Sequence, residues 1–339
     1  MSLREKVFVA ISMAVFCIFA VFFMKPSKEK TQTSGVRIAA IMPDVTNSFW
    51  AGVWNGVDNG AASANVRLSR YRYATGKDTR EMNEKLETAL LSKPEGILLC
   101  ANQYTAPRTR ELLSQAMETG IAVVLCDTDT EEKLRDAYVG ADNEKAGHDC
   151  AGYLLNQGEI RTAVIIKSSE ERISGATRQR EQAFLEHFAD DSQIQIEKLV
   201  LTGEGNDNFQ ILEEKLLSLG EETALVCFNS STTILAAQTI ERLKMADKVT
   251  VVGFSETEEA FSYTQEGVID ALFTQDNEEL GRKSVELLEA LVQSKAEEKR
   301  KNEEKKEETG EKAEKLEDEE TKSVIYIDMI PVLGGEGHA

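Results

Sequence analysis

Histidine is nearly missing from this chain, with three in 339 residues, at positions 148, 187 and 338. None has metal-ligand spacing, and a histidine-based catalytic centre has little to draw on. Cysteine is sparse and scattered: Cys17, Cys100, Cys126, Cys150 and Cys227, an odd set with no CxxC pair. That is not a disulfide framework. Cys100, Cys126 and Cys227 end apolar runs of strand length, where a free thiol serves as a small buried hydrophobe. Positive charge is short as well. Lys and Arg number 39 against 59 Asp and Glu, a formal net charge of -20, which argues against a nucleic-acid partner, since phosphate backbones need clustered Lys and Arg. Nucleophile elbow, HExxH, P-loop and GxGxxG are all absent. The expectation is a chain that is not an enzyme, with no cofactor and no metal.

What is present is apolar residues, 41% of the total, in a length that suits two domains. Near the N-terminus, Val7 to Met24 form 18 residues without a charge. The run exceeds the core of a signal peptide, reaches the length of a membrane span, and lacks the small residues of a cleavage site. It is read as an uncleaved signal anchor, a transmembrane helix over 1–24, followed by a polar tether over 25–35.

From Val36 onward, apolar strand-like runs alternate with helical patterns. Strands are expected at Val36–Met42, Val66–Tyr73, Gly96–Cys100, Ile121–Cys126 and Tyr138–Gly140, with helices at about 48–64, 78–92 and 107–118. The pattern then restarts with a helix at about 142–157 and strands at Thr162–Lys167, Ile194–Leu201, Ala224–Phe228, Val249–Phe254 and Val268–Thr274. A long helix from about Asn277 and a closing strand Val324–Pro331 complete the chain. Continuous apolar strands between helices mean parallel sheets covered on both faces, and two sets of about five βα units exceed one compact sheet. The segment 295–322 differs, with 9 basic and 12 acidic side chains and no apolar stripe. It is expected to be a solvated, partly disordered insertion that breaks around Thr309-Gly310, with Glu–Lys pairs at i,i+4 that would allow it to extend the preceding helix.

Sheets of this kind bind ligands outside the carboxyl ends of their strands. Those positions hold Asn47, Phe49 and Trp50; Asn102, Gln103 and Tyr104; Asp127, Thr128 and Asp129; Asn229 and Ser230; Ser255 and Glu256; and Gln275, Asp276 and Asn277. Aromatic faces beside amides, carboxylates and hydroxyls suit a small polyol: rings stack on C–H faces while the polar groups donate to and accept from hydroxyls.

The residues resemble the class I sugar-binding periplasmic proteins of the ribose-binding type over about 36–294 and 324–332. The resemblance rests on Thr46-Asn47-Ser48-Phe49-Trp50, Val124-Leu125-Cys126-Asp127, Gly140-Ala141-Asp142-Asn143, the stretch Gly175-Ala176-Thr177-Arg178-Gln179-Arg180, Phe228-Asn229-Ser230, Val251-Val252-Gly253-Phe254 and Phe273-Thr274-Gln275. It implies an α/β fold of two similar doubly wound parallel-sheet domains joined by a three-crossing hinge. The first domain would comprise 36–141 plus 276–325, with the charged insertion, and the second 142–275 plus 326–339. The implied ligand-binding residues are Asn47, Phe49, Trp50, Asp127, Arg178, Asn229 and Gln275. The pattern departs at Thr128, where an Arg usually follows the Asp, and at Ser255, where an Asp usually follows Val-Gly-Phe; both are kept as candidate ligand contacts. The implied function is a monomeric, membrane-anchored extracellular or periplasmic solute-binding protein. It would close around a sugar or polyol and deliver it to an ABC-type permease, or else signal to a sensor kinase or chemoreceptor. The effector domain of a transcription regulator shares the fold, but an apolar span stands where DNA-binding helices would precede it.

Overall fold

A computed structural model describes residues 35–44, 47–74, 79–100, 106–129, 131–168, 175–188, 194–202, 206–220, 222–309 and 323–334. The expected N-terminal anchor and Cys17 lie outside these residues, as do Asn102, Gln103 and Tyr104. Among the described residues no helix is long and apolar enough to cross a membrane.

The first strands and helices are β1 (Arg37–Pro43), α1 (Ser48–Ser63), β2 (Arg67–Tyr73), α2 (Arg80–Leu91), β3 (Gly96–Cys100), α3 (Pro107–Glu118), β4 (Ala122–Cys126) and β5 (Ala137–Ala141). The pattern then repeats as α4 (Asn143–Asn156), β6 (Thr162–Ser168), α5 (Gly175–Glu186), β7 (Gln195–Leu201), α6 (Asn206–Leu217), β8 (Thr223–Cys227), α7 (Ser230–Leu243), β9 (Val249–Phe254), α8 (Glu258–Gln265) and β10 (Ala271–Thr274). A 33-residue helix, α9 (Asn277–Thr309), precedes β11 (Ser323–Ile327) and β12 (Ile330–Leu333).

These strands form two six-stranded sheets, β11-β5-β4-β3-β1-β2 and β12-β10-β9-β8-β6-β7. The orders match element for element, so the chain builds two α/β parallel-sheet domains of one topology. One pair breaks the pattern: β12 runs antiparallel to β10. The expected single closing strand is in fact two. β11 pairs parallel with β5 in the first sheet, and the chain crosses at Asp328-Met329 before joining the second sheet. Two earlier passages between the sheets fall between β5 and α4 and between β10 and α9.

Period-2 alternation divides each strand between two cores. In β1, Ile38, Ala40 and Met42 face Trp54, Val57, Leu280, Val285 and Leu288 of α1 and α9, while Ala39 and Ile41 face Leu86, Leu112 and Leu113 of α2 and α3. The central strands β3, β4 and β8 are buried along their whole length, whereas the outer strands β2 and β7 alternate toward solvent. Beneath the first sheet, α1 and α9 touch backbone to backbone. A Cβ on Gly56 would overlap the Glu278 carbonyl, and one on Gly281 would overlap the Val53 carbonyl. The α9 helix runs on past its last buried apolar residue, Val292, into the charged segment. The four described cysteines, Cys100, Cys126, Cys150 and Cys227, are all buried free thiols.

Candidate functional site

The carboxyl ends of strands from both sheets, with the helix starts that follow them, line a cleft of about 710 Å³. Of the nine candidate residues, Asn47, Phe49, Asp127, Thr128, Asn229 and Gln275 line it. Trp50, Arg178 and Ser255 do not, and each has a local reason.

Asn47 is the N-cap of α1, its Oδ1 accepting from the Trp50 amide at 3.0 Å. That cap sets the helix phase. Trp50, Val53, Trp54, Val57 and Ala61 then fall on the core stripe, and Trp50 is 8% exposed. Phe49, one residue round the helix, faces the cleft, with its ring edge-on to Trp50 at 4.7 Å. Trp50 is thus the backing of the aromatic wall rather than its surface.

On α5, Thr177, Glu181 and Phe184 are buried and Arg180 shares their face, whereas Arg178 is exposed. Residues three and four apart share a helix face, so a shift of two positions moves a side chain to the far side. Arg180 is therefore the guanidinium in the cleft. Its Nε donates to Asn143 Oδ1 at 2.7 Å and its Nη1 to the Phe228 carbonyl at 3.2 Å. The same guanidinium lies 4.8 Å from the ring centroid of Phe254, a cation–π contact.

Ser255 is fully buried. Its Oγ accepts from the Thr257 amide at 3.2 Å and lies 3.0 Å from Thr257 Oγ1, holding the turn into α8. The next residue, Glu256, is the one on the cleft. Its carbonyl accepts a 2.9 Å hydrogen bond from Ser48 Oγ at the start of α1, which links an element on the first sheet to one on the second.

Asp127 sits just beyond β4 with φ +69°, a left-handed conformation that Asp tolerates better than most residues. Its amide donates to the Val139 carbonyl at 2.9 Å, and its own carbonyl accepts from the Tyr138 hydroxyl at 3.0 Å. Gly140 makes room for that hydroxyl: a Cβ there would overlap the phenol. The carboxylate accepts from Thr128 Oγ1 at 3.3 Å. Burial pushes Asp127 up to about 6, opposed by the charge of Arg180 and the Thr128 hydrogen bond. Burial also raises Glu256, again opposed by Arg180. Arg180 itself is lowered by burial, and Glu256 and Asp127 counter that shift.

Asn229 caps α7 as Asn47 caps α1, accepting from the Thr232 amide at 3.0 Å. Gln275 is 7% exposed, and its Oε1 has no hydrogen-bond partner among the described residues. A buried acceptor left without a donor is costly, so at a cleft wall it marks a place for a ligand donor. Sequence reasoning missed Arg180, Tyr138 and Asn143 and gave Glu256 no role. The i, i+3, i+4, i+7 spacing of Thr177, Arg180, Glu181 and Phe184 was the signal for the first of these. Among the described residues no group of three or more His, Cys, Asp and Glu is placed to hold a metal ion.

Solved structures share this fold. A carbohydrate transporter solute-binding protein from Agrobacterium radiobacter, in complex with D-arabinose, is 18% identical with a TM-score of 0.65, covering 89% of this chain and 95% of that one. An ABC transporter solute-binding protein from Bacillus halodurans C-125 with bound myo-inositol is 16% identical with a TM-score of 0.67, covering 89% and 96%. A XylFII–LytSN complex contains a chain 22% identical with a TM-score of 0.62, covering 77% and 94%. No match was found among curated proteins. The periplasmic binding protein domain model matches residues 38–296, from the first strand into the charged helix, and the chain belongs to that family.

Proposed function

We propose that this chain is an extracytoplasmic receptor for a sugar or related polyol, bound in the cleft between the two domains and delivered to an ABC-type transporter. The observation that carries the reading is the buried Gln275 Oε1, an acceptor without a donor among the described residues, on the wall that also holds Asp127, Arg180 and Phe49. A polyol supplies what that set lacks: hydroxyls to donate to Gln275 and Asp127, hydroxyl oxygens to accept from Arg180, and a C–H face for Phe49. Structural relatives with D-arabinose and myo-inositol bound support the ligand class. The domains are those expected, 36–141 plus 276–325 and 142–275 plus 326–339, with the last boundary moved two residues on because β11 pairs with β5 through Ile327, and the ligand would be held by hinge closure. One chain supplies both walls, which supports a monomer. The apolar run Val7–Met24 supports attachment to the membrane. A second reading, a receptor that reports to a sensor kinase, is favoured by the likeness to the XylFII–LytSN complex.

The test is thermal-shift screening of the full-length chain against pentoses, hexoses and inositols. A saturating ligand is expected to raise the melting temperature by about 5 °C. Arg180→Ala removes that shift, because truncating one partner of a desolvated charged network costs about 2–5 kcal/mol, whereas Arg178→Ala keeps it. A screen in which no polyol stabilises the protein would overturn the reading, as would full affinity in the Arg180 variant.

A further inference from the structure

Among the described residues, the charges on the cleft wall do not balance. Its described lining holds the carboxylates of Asp127, Asp129, Asp142, Glu144 and Glu256 against the single guanidinium of Arg180. Three of the five are accounted for without a ligand. Asp129 forms a bidentate pair with Arg135 at 2.6 and 2.9 Å. Asp142 caps α4, accepting from the Lys145 amide at 2.9 Å. Glu144 is exposed on the first turn of α4, where water and the helix N-terminus stabilise a negative charge. Asp127 and Glu256 remain. Neither forms an ion pair among the described residues; Arg180 acts on both from a longer range. Among the described residues, two shielded carboxylates and one guanidinium leave a surplus of one negative charge. Beside them is the unsatisfied Gln275 Oε1, which also calls for a donor.

We infer that the cleft selects a polyol carrying one ammonium group over its neutral or acidic counterpart. This inference rests on the polyol reading above and narrows it. An ammonium brings three N–H donors and no acceptor, which matches the excess of acceptors, and its charge offsets the surplus. Hydrogen bonds between ionised partners are about twice as strong as neutral ones. An acidic sugar would add a second uncompensated charge to a shielded site. The raised carboxyls fit the same picture. Burial lifts both Asp127 and Glu256, and one cation shared between them does not bring either back to its ordinary value.

Isothermal titration of the full-length chain at pH 7 tests this with matched probes: glucosamine, N-acetylglucosamine, glucose and glucuronate, the corresponding galactose and mannose sets, and an inosamine with myo-inositol. In the set whose ring fits, the amine is expected to bind about tenfold more tightly than the neutral sugar, a difference of about 1.4 kcal/mol, and the uronate not at all. N-acetylation removes the charge and the advantage with it. In Glu256→Gln the amine-to-neutral ratio falls toward one; should that variant not fold, the N-acetyl comparison in the unaltered protein carries the test. A neutral sugar that matches or beats its amine in every binding set overturns the inference and leaves the polyol reading standing. A ratio undiminished in both Glu256→Gln and Asp127→Asn overturns it too. If no probe and no other polyol binds, both readings fall.

Discussion

Asp127 carries three constraints at once: a left-handed backbone, a carbonyl held by Tyr138, and a carboxyl that burial pushes up to about 6. An unfolded Asp titrates near about 3.9. Between those values the folded protein holds a proton that the unfolded chain has released. Asp127 therefore contributes stability that is fully present below about pH 4 and lost as pH rises through about 6. Calorimetric melting of the ligand-free protein from pH 4.5 to 7.5 should show Asp127→Asn flattening this decline relative to the parent; parallel curves would refute the shift. The residue scale is also where sequence reasoning went astray, and always by a short distance. Trp50 stands beside Phe49, Arg178 two residues before Arg180, and Ser255 beside Glu256. The strand end was legible from apolar runs and turn residues. Which side chain of each turn looks inward was not, because helix phase follows from caps such as Asn47 and from stripes such as Thr177–Phe184, which only packing makes visible.

At the scale of elements, the close contact of α1 and α9 depends on glycine. Gly52, Gly56 and Gly60 recur every four residues on α1 and meet Asn277, Glu278 and Arg282 of α9. In the sequence these residues count only as poor helix formers; in the structure they set how near the two backbones approach. Gly56→Ala forces a methyl into the Glu278 carbonyl and is expected to cost about 1–3 kcal/mol. Gly152→Ala in α4 meets no atom within 4 Å and is expected to gain about 0.4–1 kcal/mol. Urea unfolding of the two variants gives the comparison, and equal midpoints would show that the contact can relax. Alternation of strand and helix was legible throughout, since buried parallel strands such as Gly96–Cys100 are continuous apolar runs. The break between β11 and β12 was not. Val324 to Pro331 reads as one extended segment, and only pairing partners 186 residues upstream in β5, and about 60 upstream in β10, divide it.

For the whole molecule, the expected pattern of backbone protection follows burial rather than helicity. Amides of β3, β4, β8 and the Leu280–Val292 portion of α9 should exchange with solvent slowest, through global unfolding. The α9 segment from Glu297 to Lys305 is helical but exposed at every residue, and a solvated helix of that length is marginal by itself. Mass-spectrometric hydrogen exchange should find it fast despite its helical geometry; slow exchange there would mean that something packs on it. The path of α9 also bears on synthesis. Ribosomes deliver β1 to β5 first, yet the helix that covers one face of their sheet comes after β10, and the strand at its edge later still. Strands β6 to β10 emerge with all their intervening helices already made. The first half thus waits for α9 and β11, whereas the second lacks only its edge strand β12, and the nascent first half leaves Val57 and the α9-facing side of β3 and β4 without cover while some 130 further residues are translated. Chaperone contact in living cells would concentrate on that early half.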